Sequence, residues 1–226
     1  MKRIVLAAAL AVFSFVSLHA QDIPDHDWAH FGRYADANAK VTHSPVAVLM
    51  GDSITDAWFN QDRAFFEDND FAGRGISGEV TSHMLVRFRR DVIDLHPRYV
   101  VILAGINDIA RNNGYIALEN TLGNIVSMCE LAKANKIKPV LCTLVPSSEI
   151  RWRPGLGDVS DQVAKLNGMI RAYAKANRFR LVDYAKVLSD ENGVLLDGVS
   201  RDTVHPVLEG YKIMETELLR VLKIKR

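Results

Sequence analysis

The 226-residue sequence has only two cysteines and seven prolines, and its charge is nearly balanced, with 28 basic and 27 acidic residues. A balanced charge argues against binding to nucleic acid or to an anionic membrane, since both functions need a basic surface. Repeats, low-complexity tracts and long linkers rich in proline or glycine are missing as well. We therefore expect a single domain with one hydrophobic core.

The N-terminal segment has the pattern of a secretory signal peptide. Lys2 and Arg3 precede an apolar run from Ile4 to Leu18, and a small residue stands at position 20. The run is short for a membrane span. A lipoprotein anchor is not indicated either, because there is no cysteine near position 20. We expect residues 1–20 to be removed on export to the periplasm or the medium, which leaves residues 21–226 as the mature domain with no stable membrane insertion.

The two cysteines fall in a predicted helix and in the strand after it. Export makes a disulfide between Cys129 and Cys142 possible, provided that the helix and the strand face each other at the same height. Cysteine is also a common small core residue, so we favour two free buried thiols.

Apolar runs without polar alternation indicate strands that are buried on both faces. The first such run covers 46–50, and a second strand region lies near 71. Further strands are predicted over 98–104, 139–145 and 180–187, and helices over 79–94, 115–136, 161–177 and 209–225. Strands that alternate with helices of this length predict an α/β domain, in which helices cover both faces of a parallel sheet. The aromatic residues Trp28, Phe31 and Tyr34 are expected to pack onto this sheet from a short helical segment.

Ser53 follows the first predicted strand directly, in the stretch Gly51-Asp52-Ser53. The carboxyl ends of parallel strands are where α/β proteins place their chemistry, so Ser53 is a candidate nucleophile. The tripeptide alone is weak evidence, since glycine, aspartate and serine are also common in turns and helix caps. Asp52, and Asp108 after a later strand, are expected to serve as hydrogen-bond acceptors at strand ends.

Three glycines, Gly73, Gly75 and Gly78, match the spacing of a dinucleotide-binding loop. That loop should follow the first strand, whereas these glycines follow the second. We therefore interpret them as a place where two backbone segments approach closely.

Near the C-terminal end, Asp202 stands three residues before His205. This spacing allows the carboxylate to accept a hydrogen bond from one imidazole nitrogen while the other nitrogen faces a nucleophile. Asp197 also precedes the histidine, but the shorter spacing favours Asp202. A glycine amide of the 75–78 loop and the side chain of Asn107 could donate to a developing oxyanion.

Four stretches together resemble the blocks of the SGNH hydrolases, also called GDSL esterases and lipases: Gly51-Asp52-Ser53-Ile54-Thr55, Gly75-Ile76-Ser77-Gly78, Gly105-Ile106-Asn107-Asp108 and Asp202-Thr203-Val204-His205. Gly73 departs from the pattern, since many relatives have an asparagine there. The elbow of α/β-hydrolases fits less well, because it is Gly-x-Ser-x-Gly and Thr55 stands in place of its last glycine.

The resemblance implies a flavodoxin-like three-layer α/β/α sandwich with a central parallel sheet of about five strands. It implies Ser53 as nucleophile, His205 as base and Asp202 as the residue that orients the base. The oxyanion donors would be the amides of Ser53 and Gly78 and the side chain of Asn107. This mechanism needs no metal or organic cofactor. His26 and His30, four residues apart, lack further ligands for a convincing metal site.

The function expected from these features is a secreted serine esterase that removes short acyl groups, chiefly acetyl groups from carbohydrates. Trp152 and Arg151 lie in the predicted loop 147–160 and are candidates for binding a sugar ring, although Trp152 could simply anchor the loop. The alternatives are a lysophospholipase or an acetylhydrolase of ether phospholipids, a non-catalytic glycan-binding module, and a flavin-binding flavodoxin. The expected partner is therefore a small-molecule or glycan ester.

Overall fold

The computed structural model describes residues 27–224, so the predicted signal peptide lies outside the described residues. In the described part, five parallel strands form one sheet: β1 (Ala47–Gly51), β2 (Phe71–Gly75), β3 (Tyr99–Leu103), β4 (Lys138–Cys142) and β5 (Arg180–Val182). Their order is β2-β1-β3-β4-β5, which is the flavodoxin-like order. The predicted α/β class and parallel sheet are confirmed.

Helices cover the sheet in two groups. They are α1 (Ala35–Ala39), α2 (Ser53–Gln61), α3 (Arg63–Asp68), α4 (Thr81–Asp91), α5 (Ile106–Ile109), α6 (Leu118–Ala134), α7 (Ser160–Asn177), α8 (Tyr184–Val187) and α9 (Leu208–Leu222), with 3₁₀ turns at Ile93–Leu95 and Pro154–Leu156. Helices α2, α3, α8 and α9 form one layer, and α4, α6 and α7 form the other. Among the described residues, no helix has both the length and the apolar character needed to cross a membrane.

Strands β1 and β3 are buried at every position, because helices cover both faces of the sheet. Gly51 at the end of β1 lies opposite Gly75 of β2 and Leu103 of β3. Three strand ends therefore meet at one edge, and the loops that follow them build the candidate site.

The glycine loop is a close-approach site, as predicted. A Cβ atom on Gly75 would lie 2.2 Å from the backbone nitrogen of Asp56, so only glycine lets the end of β2 pack against the start of α2. Gly73 is tight as well, since its Cβ would lie 3.2 Å from the ring of Phe59. Gly78 has a φ of +82°, a conformation that favours glycine at this turn.

Two local predictions are wrong. The strand predicted over 180–187 ends at Val182, because the Asp183 carboxylate caps the short helix α8 by accepting a hydrogen bond from the Lys186 amide. Trp28 does not pack onto the sheet, since 57% of its surface is exposed and its ring lies edge-on to the ring of His83. Tyr34 does reach the sheet, where its hydroxyl donates to the carbonyl oxygen of Gly75.

Both cysteines are free and buried, as favoured from the sequence. Burial raises the pKa of the Cys129 thiol to about 12, so this side chain stays protonated at neutral pH. The two residues act as small apolar groups in the core.

Candidate active site

Ser53 is the first residue of α2, directly after β1. Asp52 caps this helix, since its Oδ1 accepts from the Ile54 amide at 3.0 Å. The amide of Ser53 belongs to the first turn, where backbone N–H groups have no acceptor within the helix. Ser53 Oγ lies 2.9 Å from His205 Nε2, although the two residues are 152 positions apart in the chain. The fold therefore brings the predicted nucleophile and base into hydrogen-bond contact.

Asp202 holds His205 in a tight turn. Its Oδ2 lies 2.8 Å from His205 Nδ1, and its Oδ1 accepts from the backbone amides of His205 at 2.8 Å and Val204 at 3.2 Å. Burial disfavours the charged carboxylate, but the hydrogen bonds from the His205 amide and imidazole outweigh it and keep the pKa of Asp202 below its ordinary value. The ionised carboxylate accepts a hydrogen bond from Nδ1–H, which leaves Nε2 unprotonated and able to accept the proton of Ser53.

The turn is strained at Thr203, which has a φ of +64°. A β-branched residue rarely adopts this left-handed conformation. Its hydroxyl donates to the carbonyl oxygen of Glu149 at 2.9 Å, which ties the turn to the loop that carries Trp152. Strain of this kind is maintained only where surrounding contacts hold the backbone in place.

The predicted oxyanion donors lie next to this pair. Asn107 is in α5, after β3, and is buried. One hydrogen of its Nδ2 goes to the carbonyl oxygen of Glu79 at 3.0 Å, which leaves the other hydrogen for a ligand. Gly78 and Asn107 share one cavity with Ser53 and His205. The predicted nucleophile, base, orienting acid and donors therefore converge on one site.

This cavity has a volume of about 450 Å³, and most of the residues that line it have polar side chains. Its wall consists of Ser53, Asp56, Ala57, Asn60, Ser77, Gly78, Asn107, Asn112, Trp152, Arg201 and His205. Apart from the glycine, Ala57 and the indole of Trp152 are the apolar members of this set. The polar side chains can therefore form hydrogen bonds to a small polar ligand.

The two candidate residues of the loop 147–160, Trp152 and Arg151, line different cavities. The ring of Trp152 lies 5.6 Å from the imidazole of His205 and lines the Ser53 cavity. Arg151 instead lines a neighbouring cavity of about 910 Å³, which does not include Ser53. The two cavities share Arg201, and this residue is the cationic group on the wall beside Ser53.

Two groups of site residues were missed from the sequence. Asp56, Ala57 and Asn60 lie three, four and seven residues after Ser53, so helical periodicity places them on the same face of α2 and could have identified them. Asn112 and Arg201 stand in irregular segments, where no periodic pattern predicts the direction of a side chain.

The expected strand-end acceptors are in place. Besides Asp52, the carboxylate of Asp108 accepts from the backbone amide of Thr81 at 2.9 Å and from its hydroxyl. His30 lies 3.0 Å from the carboxylate of Glu79, while His26 is outside the described residues. In the described part of the chain, no cluster of three or more histidine, cysteine or acidic side chains could hold a metal ion.

Comparisons with known proteins agree with this geometry. Residues 49–213 match the GDSL-like lipase/acylhydrolase family. A crystal structure from Bacteroides fragilis, provisionally described as an acylhydrolase, is 43% identical, with a TM-score of 0.84 over 88% of this chain and 98% of that one. A variant of an acetyl xylan esterase from Geobacillus stearothermophilus has the same fold, with a TM-score of 0.64 at 19% identity over 81% of this chain and 97% of that one.

A curated relative, the uncharacterized lipoprotein YqeF of Bacillus subtilis, is 32% identical over 83 residues. This match spans 35% of the present chain and about a third, 34%, of the relative. The family match covers most of the domain and includes Ser53, Gly78, Asn107 and His205. The chain belongs to the GDSL-like lipase/acylhydrolase family of SGNH hydrolases.

Proposed function

We propose that this protein is a serine esterase that removes short acyl groups, chiefly acetyl, from carbohydrates outside the cytoplasm. The observation that carries the proposal is the continuous chain of contacts from Asp202 through His205 to Ser53, with distances of 2.8 and 2.9 Å. A serine becomes a useful nucleophile when a base accepts its proton and a third group orients that base.

In the first half of the reaction, His205 Nε2 takes the proton of Ser53 as Oγ attacks the ester carbonyl carbon. The oxygen of the tetrahedral intermediate carries the negative charge and accepts hydrogen bonds from the amides of Ser53 and Gly78 and from Asn107 Nδ2. The intermediate then collapses, His205 gives its proton to the leaving alkoxide, and the alcohol departs from an acyl-enzyme. In the second half, His205 takes a proton from water as the water attacks the acyl-enzyme. The second tetrahedral intermediate then collapses, His205 returns the proton to Ser53 Oγ, and the acid is released.

The nucleophile is tested by the substitution Ser53→Ala. We expect it to abolish hydrolysis of nitrophenyl acetate with an unchanged far-ultraviolet circular dichroism spectrum, because the alanine has no oxygen to attack the ester. A fluorophosphonate should label Ser53 alone, as seen by peptide mass spectrometry. Ser127→Ala, on the distant helix α6, is the matched control. Full activity of the Ser53 variant would mean that another group is the nucleophile, whereas a wild-type protein without activity would favour a glycan-binding module.

The acyl preference is tested with nitrophenyl esters of increasing chain length. The cavity beside Ser53 has a volume of about 450 Å³ and is lined mostly by residues with polar side chains. We expect it to accept a short acyl group best, so kcat/KM should fall from acetyl to butyryl and fall further to octanoyl. A preference for octanoyl would instead favour a lipid-directed acylhydrolase.

The carbohydrate preference rests on Trp152, whose indole is 38% exposed and faces the cavity near His205. Such a ring can stack on the apolar face of a sugar. In a panel of acetylated saccharides, Trp152→Ala should raise KM for the saccharide more than KM for nitrophenyl acetate. Equal increases in KM for the two substrates would argue that the indole only anchors the loop.

Export is a separate part of the proposal. The supporting observations are the basic and apolar pattern of residues 1–20 and the similarity to a lipoprotein. Expression of the full chain in a Gram-negative host should give a mature protein whose N-terminal residue, read by mass spectrometry, is Gln21. An intact N-terminus in the cytoplasmic fraction would contradict export.

A further inference from the structure

Asn112 contacts three separate parts of the site. Its Nδ2 donates to Oδ1 of Asn107 at 2.8 Å and to the carbonyl oxygen of Gly78 at 3.2 Å. Its Oδ1 accepts from the indole Nε1 of Trp152 at 3.0 Å. Its own backbone amide donates to the carbonyl oxygen of Asn107 at 3.0 Å, which fixes its position relative to that residue. A single half-buried side chain thus joins two of the oxyanion donors, Gly78 and Asn107, to the loop that carries Trp152.

These contacts determine which way the amide of Asn107 faces. Asn107 Oδ1 accepts from Asn112, and Asn107 Nδ2 donates to the carbonyl oxygen of Glu79. A flipped Asn107 would bring two donors together at Asn112 and two oxygens together at Glu79. The remaining N–H of Asn107 is therefore held toward the cavity, where an oxyanion would form.

The amide of Asn112 is oriented in turn by Trp152. An indole N–H can only donate, so the oxygen of Asn112 must face Trp152 and its nitrogen must face Asn107. The hydrogen bonds run in one direction, from Trp152 through Asn112 and Asn107 to the carbonyl oxygen of Glu79. Each bond fixes the polarity of the next.

We propose that Asn112 is a positioning residue, which holds the oxyanion donors in their working orientation and makes that orientation depend on Trp152. The inference rests on the proposed esterase function. Its physical basis is that an oxyanion donor lowers the barrier only when it is oriented before the charge develops. A substrate that engages the indole would act on the same hydrogen-bonded chain that orients Asn107.

The direct test is Asn112→Asp, which keeps the size of the side chain and removes its N–H donors. The carboxylate would repel Oδ1 of Asn107, so kcat for nitrophenyl acetate should fall by about 10- to 100-fold while KM changes less than about twofold. Asn113→Asp is the matched control, because it adds the same charge at the next, exposed position. Asn112→Ala serves the same purpose if the aspartate variant fails to fold.

The dependence on Trp152 is tested by Trp152→Phe, which keeps an aromatic ring and removes the N–H. We expect kcat for nitrophenyl acetate to fall by about 3- to 10-fold, and the double variant with Asn112→Asp to be little slower than Asn112→Asp alone. Independent effects would multiply in the double variant, and that result would overturn the link between the two residues.

The positioning role is overturned if Asn112→Asp lowers kcat no more than Asn113→Asp does. It is also overturned if Asn112→Asp raises KM while kcat is unchanged, since Asn112 would then act on substrate binding. Thermal unfolding midpoints of all variants are measured alongside, and a loss of kcat without a shift in midpoint supports positioning. Failure of the proposed esterase function is a distinct result, because it would appear as retained activity in Ser53→Ala.

Discussion

The carboxylate of Asp202 both closes the turn and orients the imidazole of His205. Its Oδ1 accepts the backbone amides that close the turn, and its Oδ2 faces the imidazole of His205. The turn places Thr203 in a left-handed conformation, so part of the binding energy of these hydrogen bonds offsets backbone strain. The position and the tautomer of the imidazole are thus set by the same residue.

Replacement of Asp202 by asparagine should therefore be far more damaging than the same change at Asp197. The amide nitrogen of the new side chain would face Nδ1 and favour the tautomer with its proton on Nε2, which cannot accept from Ser53. We expect Asp202→Asn to lower kcat by about 10³- to 10⁴-fold. Asp197 lies on the neighbouring cavity, so Asp197→Asn should change kcat little. Steady-state kinetics on nitrophenyl acetate compare the two, and the opposite ranking would identify Asp197 as the orienting acid.

At the level of single residues, the sequence predicts best where a short spacing carries the geometry. The three-residue spacing of Asp202 and His205 is bridged within one turn, and Ser53 directly follows a buried strand. No short spacing or strand end in the sequence identifies Asn112 as a site residue. Its importance comes from hydrogen bonds to residues 5, 34 and 40 positions away, which only the folded chain brings together.

At the scale of elements, helix α4 is held to the sheet by a buried ionic cluster. The guanidinium of Arg87 lies 2.7 Å from Glu79 and 2.8 Å from Asp91, and all three side chains are almost fully buried. Arg87 also donates to the carbonyl oxygens of Gly51 and Arg74, at the ends of β1 and β2. The cluster therefore fixes the helix to the sheet edge on which Ser53 stands.

We expect Arg87→Met to lower the free energy of unfolding by about 3–5 kcal/mol, because it leaves two buried carboxylates without their cation. Arg89→Met, two positions along the same helix and exposed, should have a small effect. Urea unfolding monitored by tryptophan fluorescence gives both values. Equal stability of the two variants would show that the buried cluster contributes no more than an exposed arginine does.

The element boundaries show what a pattern of apolar residues can and cannot determine. The long helices and the central strands are correct to within a few residues, since their periodicity extends over many positions. The strand predicted over 180–187 failed because the apolar pattern continues past Val182 while the Asp183 carboxylate starts a helical turn. A cap depends on the direction of one side chain, and composition does not reveal it.

At the scale of the whole molecule, the predicted architecture follows from strands that are apolar at every position. Such strands need cover on both faces, and helices between them can provide it only in a layered α/β arrangement. Cover of this kind also buries polar groups at the strand ends. Asp52 is 1% exposed, and within the described residues its Oδ2 has no hydrogen-bond partner.

Burial, together with the nearby charges of Asp108 and Glu79, raises the pKa of Asp52 from 3.8 to about 7, although the hydrogen bond from the Ile54 amide opposes the change. Between pH 3.8 and about pH 7, the carboxyl group of Asp52 is protonated in the folded protein and ionised in the unfolded chain. The contribution of Asp52 to the free energy of unfolding is therefore favourable below the lower value and is lost as the pH rises toward 7.

Asp52→Asn should remove this dependence, because asparagine still caps α2 and carries no charge at any pH. The difference in free energy of unfolding, variant minus wild type, should rise by roughly 4 kcal/mol between pH 4 and pH 8, since one pKa unit corresponds to 1.36 kcal/mol. Urea unfolding at several pH values measures this difference, and other titrating groups cancel from it. Asp68→Asn, at an exposed site, controls for the loss of one negative charge from the molecule. A difference for Asp52→Asn that stays constant from pH 4 to pH 8 would show that the carboxylate is ionised throughout and is solvated or paired when folded.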